Sequence, residues 1–220
     1  MTETRATEVL TVLKKSFPMP SWASSPRNPF QTLVATIISQ NTSSKNAGKA
    51  FEKLSDKCQI TPEALAKADE KEVEEALRIA GLHRNKAKTI IKVSKIVLRE
   101  HNCSLGFVHS LPLEDARKAL MSLPGVGPKT ADVVLLFSAR KHTIPVDTHV
   151  NRVSKRLGLA PKKGDYDEVR MALQSLFAPE DYLAVHVLLI ALGRRYCKAL
   201  KPLCVQCPVN DSCPSRCVED

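Results

Sequence analysis

Leu123-Pro124-Gly125-Val126-Gly127-Pro128-Lys129-Thr130-Ala131 is the stretch on which the reading of this chain turns. Glycines at 125 and 127 permit positive φ and let the backbone approach a ligand closely, and the helix that starts beyond them points its first amides outward. Helical apolar spacing covers residues 114–121 before the turn and 129–138 after it. A helix, glycine turn and helix in this order can hold a phosphate by main-chain amides, which positions a nucleic acid without reading its sequence. The competing reading is an ordinary helix corner in which the glycines only make the bend.

Moving outward, the spacing stays helical and strand-like alternation bounded by turn residues is missing, which predicts an all-α protein. Further helices are expected at 7–15, 29–38, 45–54, 85–100, 146–157 and 181–192. Along 85–100, Ala87, Ile90, Ile91, Ser94 and Val97 trace one face, while Lys86, Lys88, Lys92 and Lys95 sit mostly off it, so one side packs and the other is wet. Asp69 with Glu72 and Asp165 with Glu168 have the spacing of capping boxes, and Thr61-Pro62 marks another helix entry. Residues 17–29 read as a linker and 140–145 as a second break.

The chain has 220 residues, enough to bury a core without disulfides. No stretch approaches the roughly 18 consecutive apolar residues of a membrane helix, and residues 1–17 lack the basic-then-apolar order of a secretory signal, so an intracellular protein is expected. Lys and Arg exceed Asp and Glu by 33 to 23, a formal +10, which favours a polyanionic partner. Aromatic residues are only 5%, a poor supply for stacking on single strands, so contact with a duplex backbone is the better expectation.

Cysteine use is lopsided. Cys58 and Cys103 stand alone and are expected as small buried residues, whereas Cys197, Cys204, Cys207, Cys213 and Cys217 crowd the end of the chain with Pro202, Pro208 and Pro214 between them. Helical periodicity is lost there, and the tail is expected to fold around a metal centre. The spacing of the first four differs from a zinc ribbon and from a bacterial ferredoxin run, and thiolate number alone leaves zinc and iron–sulfur both open.

Lys129 falls in the first helical turn after the glycines, where the helix dipole favours a neutral, nucleophilic amine. Asp147 follows Pro145 at another helix start, where a carboxylate is stabilised. A plain alternative for Lys129 is a solvated phosphate contact, with Asp132 pairing to it across the helix surface.

Residues 123–131 resemble the helix-hairpin-helix of the DNA glycosylase superfamily, and its endonuclease III branch in particular. The likeness continues through Ile144-Pro145-Val146-Asp147-Thr148-His149-Val150 and the four-cysteine spacing. The resemblance implies an all-α fold in two helical parts, a six-helix barrel at 28–138 and a cluster domain formed from 1–27 and 139–220, with damaged double-stranded DNA in a cleft between them. It implies that Lys129 forms a Schiff base, that Asp147 is the catalytic aspartate, and that Cys197, Cys204, Cys207 and Cys213 bind a [4Fe-4S] cluster. Gly125, Val126, Gly127 and Thr130 would meet the DNA backbone at the hairpin, and Lys201 beside Pro202 at the cysteine loop. Arg194, Arg195, Lys198 and Lys201 would offset the charge of the cluster, and Cys217 would be a free thiol outside it.

A base inside a duplex must be extruded before Lys129 can reach its sugar. Ser39-Gln40-Asn41-Thr42 and Gly81-Leu82-His83 resemble the family's two wedges, an amide for the orphaned partner base and a leucine that opens the stack. The family's usual glutamine aligns with Asn41 while Gln40 stands one residue earlier, so the amide is Gln40 or Asn41. A nearby family aspartate is Ser44 here. The competing readings are a helix C-cap at 40–42 and a Leu82 packed in the core. The implied activity is that of a bifunctional DNA glycosylase and AP lyase acting on oxidised pyrimidines, as a monomer without membrane association, in the nucleoid-associated cytoplasm if the source is prokaryotic. The rivals are a base-only mismatch glycosylase of the same fold, which lacks lysine at this position, and a non-enzymatic DNA-binding or redox protein.

Overall fold

A computed structural model of the chain describes residues 3–23 and 25–217. Among them there is no strand, and the helices divide between two units, Pro26–Lys141 and Met1–Ser25 with His142–Asp220. No single described helix is long and apolar enough to cross a membrane.

The first helix, α1 (Glu3–Ser16), belongs to the unit that joins both ends of the chain. The middle unit starts at α2 (Pro29–Ser39), where Asn28 accepts from the Phe30 and Gln31 amides and Pro29 takes the first helical position. Then come α3 (Ser44–Lys57), capped by Ser43, α4 (Pro62–Lys67), capped by Thr61, and α5 (Glu70–Leu77), capped by Asp69. At Asp69 the expected box takes its forward half, the carboxylate accepting from the Lys71 and Glu72 amides. A 3-10 turn, Arg78–Ala80, leads into α6 (His83–Glu100), α7 (Phe107–Ser110), α8 (Leu113–Met121) and α9 (Pro128–Ala139). The core is apolar, with Leu33, Ile37, Leu54, Leu65, Leu77, Ile90, Leu120 and Leu135 all inaccessible. Helix α2 packs on α9, and a buried hydrogen bond from Ser138 Oγ to Thr32 Oγ1, 3.0 Å, fixes their register.

Helix α6 corrects one expectation. It begins at His83, and Lys86 is buried instead of solvated, its ammonium held by two carbonyl oxygens. Lys88, Lys92 and Lys95 are exposed as expected. Cys58 and Cys103 are half-buried, less deeply placed than anticipated.

In the unit formed by both chain ends, α1 packs Ala6, Val9, Leu10 and Leu13 inward, against α12 (Tyr182–Arg195) and α11 (Tyr166–Leu176). Helix α10 (Thr148–Leu157) lies against α12 and stops at Gly158, whose φ of 70° is the left-handed end that glycine accommodates. The Asp165–Glu168 capping box is complete. Phe17 and Ala23 are buried, and a 3-10 turn spans Ser21–Ala23, so the stretch read as a linker is partly folded. Beyond α12 the described chain makes only turns.

Candidate active site

The hairpin joins α8 to α9. Leu123 and Val126 enter the core, and the Val126 amide closes the turn on the Leu123 carbonyl at 3.2 Å. Gly125 has φ +75°, and a Cβ there would stand 2.6 Å from Thr89 Cγ2. Gly127 differs from expectation: its φ of −94° is open to any residue, and a Cβ there would meet no protein atom within 4 Å. Neither strain nor packing within the protein accounts for the second glycine, and the space above it is available to a ligand. Gly127 also occupies the N-cap of α9 with Pro128 next, so the Gly127 and Thr130 amides belong to the set that helix geometry leaves without intrahelical partners.

Gly125→Ala is therefore expected to destabilise the protein by about 1–3 kcal/mol, the scale of a non-glycine residue forced into left-handed backbone against a neighbour. Thermal unfolding followed by circular dichroism measures it, and unchanged stability would contradict the packing against Thr89.

Lys129 is half-buried in the first turn of α9. Asp132, 0% exposed, lies 3.2 Å from Arg117 Nε of α8. This buried ion pair ties the two hairpin helices together and places Asp132 in the interior, where the plain alternative for Lys129 has it at the helix surface. Thr130 is buried, and its side chain faces Gln40 across the unit: Gln40 Nε2 donates to the Gly125 carbonyl at 3.1 Å and approaches Thr130 Oγ1 at 3.4 Å. Val126 and Thr130 can thus meet DNA only through their main chain.

Of the two candidate amides, Gln40 is engaged with the hairpin. Asn41 is exposed in left-handed backbone, φ 54°, which asparagine tolerates. Leu82 is 57% exposed and left-handed at φ 48°, directly after Gly81 at φ 65°. A leucine held at positive φ and largely in solvent is opposite to a core residue, and the backbone cost is of order 1 kcal/mol or more. His83, half-buried, is the first residue of α6.

In the other unit, Asp147 is half-buried and caps α10, with Oδ1 accepting from the Val150 amide at 2.8 Å. Buried His186 meets the Pro145 carbonyl through Nδ1 at 2.8 Å, and the Tyr166 hydroxyl accepts from the Val146 amide at 3.4 Å, so both sides of the approach to Asp147 are held. Asp147 also lines a cavity of about 300 Å³ with Asn151, Lys155 and Tyr166. Burial pushes the His149 imidazole below its ordinary range. Its Nδ1 lies 3.1 Å from Arg152 Nη2.

The cysteines meet as expected. Cys197, Cys204, Cys207 and Cys213 line one cavity of about 190 Å³ with Leu157, Leu192 and Tyr196. A cavity lined by these four thiols, and by Cys217 as a fifth, offers the soft sulfur donors that iron–sulfur clusters take. Burial pushes the Cys207 and Cys213 thiols up, and the neighbouring sulfurs push them further. Four thiols lining one cavity are the donor set that holds an iron–sulfur cluster. Cys217, exposed, is closer to this site than expected: it lines the same cavity, and a side-chain hydrogen bond to Cys204 is the first cause of its raised pKa.

Two arginines that sequence reasoning missed hold the loop from α10. Arg152 Nε donates to the Cys197 carbonyl at 3.0 Å, and Arg156 Nη1 donates to Cys197 Sγ at 3.5 Å and to the Lys198 carbonyl at 2.6 Å. Arg5 of α1 reaches the Ser212 carbonyl. Arg156 thus brings a cation to the Cys197 sulfur, whereas Arg194, Arg195, Lys198 and Lys201, from which that charge was expected, are exposed. Lys201 has φ 49° in the loop between the first two cysteines. The only external signal for the arginine pair was its four-residue spacing on one helix.

Comparison with known proteins gives the family to which this chain is similar. A family model described as HhH-GPD superfamily base excision DNA repair protein matches residues 34–179, and one described as the iron-sulfur binding domain of endonuclease III matches residues 197–213. An endonuclease III of Sulfolobus acidocaldarius is 39% identical over 85% of this chain and 82% of its own. That of Escherichia coli K12 is 34% identical over 97% and 96%. A solved structure of a trapped endonuclease III–DNA covalent intermediate, an estranged-adenine complex, superposes with a TM-score of 0.84 at 33% identity, covering 98% of this chain and 97% of that one.

Proposed function

The chain belongs to the HhH-GPD superfamily of base excision DNA repair proteins and, within it, to the endonuclease III family, and from that premise we propose that Lys129 and Asp147 carry its reaction on oxidised pyrimidines in duplex DNA. It is a DNA-binding base excision enzyme, a DNA glycosylase and lyase, with a [4Fe-4S] cluster as cofactor. The single observation that supports the reading best is a lysine in the first turn beyond a glycine hairpin whose second glycine is neither strained nor packed against protein atoms.

In the proposed reaction the neutral Lys129 Nζ attacks C1′ of the damaged nucleotide, and the base leaves with the electrons of the glycosidic bond. Loss of the amine proton and opening of the sugar give an imine. The imine acidifies the C2′ proton, whose removal breaks the C3′–O bond and expels the 3′ phosphate. Asp147 would balance positive charge developing on the sugar or accept the lysine proton. Gly127 and Thr130 amides, with Lys201 in the cysteine loop, would hold phosphates. Asn41 and Leu82 would fill the space of the extruded nucleotide, Leu82 because its exposed, left-handed placement has no account in packing. Cys197, Cys204, Cys207 and Cys213 would hold the cluster, which organises the loop and supplies no step of the cleavage. The working species would be a monomer bound to damaged duplex, associated with the nucleoid in a prokaryotic cell.

One assay tests the substrate reading. Duplexes carrying thymine glycol, an abasic site, 8-oxoguanine, a G·T mismatch or no lesion are incubated with the holoenzyme and followed for base release and for nicking. Base release from thymine glycol coupled to nicking, with the undamaged duplex intact, is the expected result. Base release from the mismatch alone without nicking would replace this reading with the base-only glycosylase.

A further inference from the structure

Lys86 is a buried charge that the reaction above does not use. It is 4% exposed, and its Nζ donates to the Ile38 carbonyl and to the Ala80 carbonyl, each at 2.9 Å. A buried ammonium is costly unless its hydrogens find acceptors, and an aliphatic side chain would fill the same volume at less cost. Burial indeed lowers its pKa from the ordinary lysine value. Core packing therefore does not explain a lysine at this position, whereas its two acceptors do.

Both acceptors sit at helix ends. Ile38 lies in the last turn of α2 and Ala80 closes the 3-10 turn Arg78–Ala80, places where carbonyls lack an intrahelical donor and a cation is favoured. Each acceptor also stands just before a segment proposed above to enter DNA. Ile38 precedes Gln40 and Asn41 by two and three residues, and Ala80 precedes Leu82 by two. Beyond both carbonyls the chain turns left-handed, at Asn41, Gly81 and Leu82. The connection continues through Gln40 Nε2 to the Gly125 carbonyl, in the hairpin that carries Lys129.

We infer that Lys86 is a positioning residue that clamps the Gln40-Asn41 segment to the Leu82 segment, so that the two enter the base stack as one rigid wedge. The inference rests on the reading of Asn41 and Leu82 as the intruding side chains. Lys86 itself touches neither DNA nor the reacting atoms. Its ammonium fixes the spacing of two backbones, and that spacing decides whether both side chains reach the same vacated step.

The test compares extrusion with covalent chemistry. Extrusion is read from the fluorescence of 2-aminopurine placed beside the lesion in a duplex, and excision from single-turnover base release. Covalent chemistry is read from borohydride trapping on a single-stranded abasic oligonucleotide, which has no stack to open. Lys86→Met is expected to lower extrusion and excision at least about 20-fold while trapping on the single strand changes less than about threefold. Lys86→Arg, which keeps the donors and the charge, should restore excision to within about threefold of the wild type. Where Lys86→Met does not fold, Lys86→Gln serves in its place.

Coupling between the wedges gives a readout that a merely stabilising residue would not move. In the wild-type background Asn41→Ala and Leu82→Ala should combine non-additively on excision by at least about fivefold, and in Lys86→Met additively to within about twofold. Coupling that persists in Lys86→Met, or trapping that falls in step with excision, overturns the clamp. The two readings fail differently. If Asn41→Ala and Leu82→Ala each leave extrusion intact, the wedge reading falls and takes the clamp with it. If both impair extrusion and Lys86→Met does not, the clamp alone falls.

Discussion

Lys129→Gln is expected to lower nicking of an abasic duplex by about 10⁴-fold or more, the scale on which removal of a nucleophile acts. Duplex affinity should change by no more than about threefold, because one partly exposed charge contributes little to binding. The asymmetry follows from the structure. The hairpin turn is set by Leu123 and Val126 in the core, by Gly125 against Thr89 and by the Arg117–Asp132 pair. Glutamine keeps the length and polarity of the side chain and cannot form an imine. Binding by gel shift together with nicking on the same duplex checks the expectation. A parallel loss of both would make Lys129 a phosphate contact.

Cys207→Ala should have an effect of comparable size on a different property. Cys207 shares a buried cavity with Cys197, Cys204 and Cys213, and the described chain beyond α12 has no helix or strand to support it. Where a metal centre replaces an apolar core, binding free energy is folding free energy, about 10–16 kcal/mol for structural metal in the smallest domains. The variant should lose bound iron and sulfide, expose residues 197–213 to protease and bind duplex about tenfold more weakly as the phosphate contact proposed for Lys201 is displaced. Trapping on a single-stranded abasic oligonucleotide should stay within about threefold, because Lys129 lies in the other unit. A Cys207→Ala protein that retains its iron, with an intact loop on limited proteolysis, would place the ligand set elsewhere.

The sequence was legible where a residue acts on the backbone within a few positions of itself. Pro29, Pro62 and Pro128 open helices, Asn28, Thr61 and Asp165 cap them, and Gly125 takes the positive φ that its turn needs. The cysteine cavity was legible because four thiols within seventeen residues leave few ways to fold without periodicity. Lys86 was misread because a lysine on an amphipathic helix is ordinarily solvated, although 86, 90, 93 and 97 share the buried face. Leu82 reads as core from hydrophobicity alone, and only the preceding glycine hints at its exposed turn. Gln40 to Gly125 and Arg117 to Asp132 join residues far apart in the chain, and no local pattern encodes such pairs. Arg152 and Arg156 look like ordinary surface charge until the fold brings the Cys197 loop to α10.

The central claim is that the amine of Lys129 bonds covalently to the sugar. Borohydride reduction of the holoenzyme on an abasic duplex, followed by peptide mass mapping, tests it most directly. The account predicts a deoxyribose remnant on the peptide containing Lys129, at stoichiometry matching the strands cut. A remnant on a different lysine, or strand cleavage with no adduct on the protein, would contradict it.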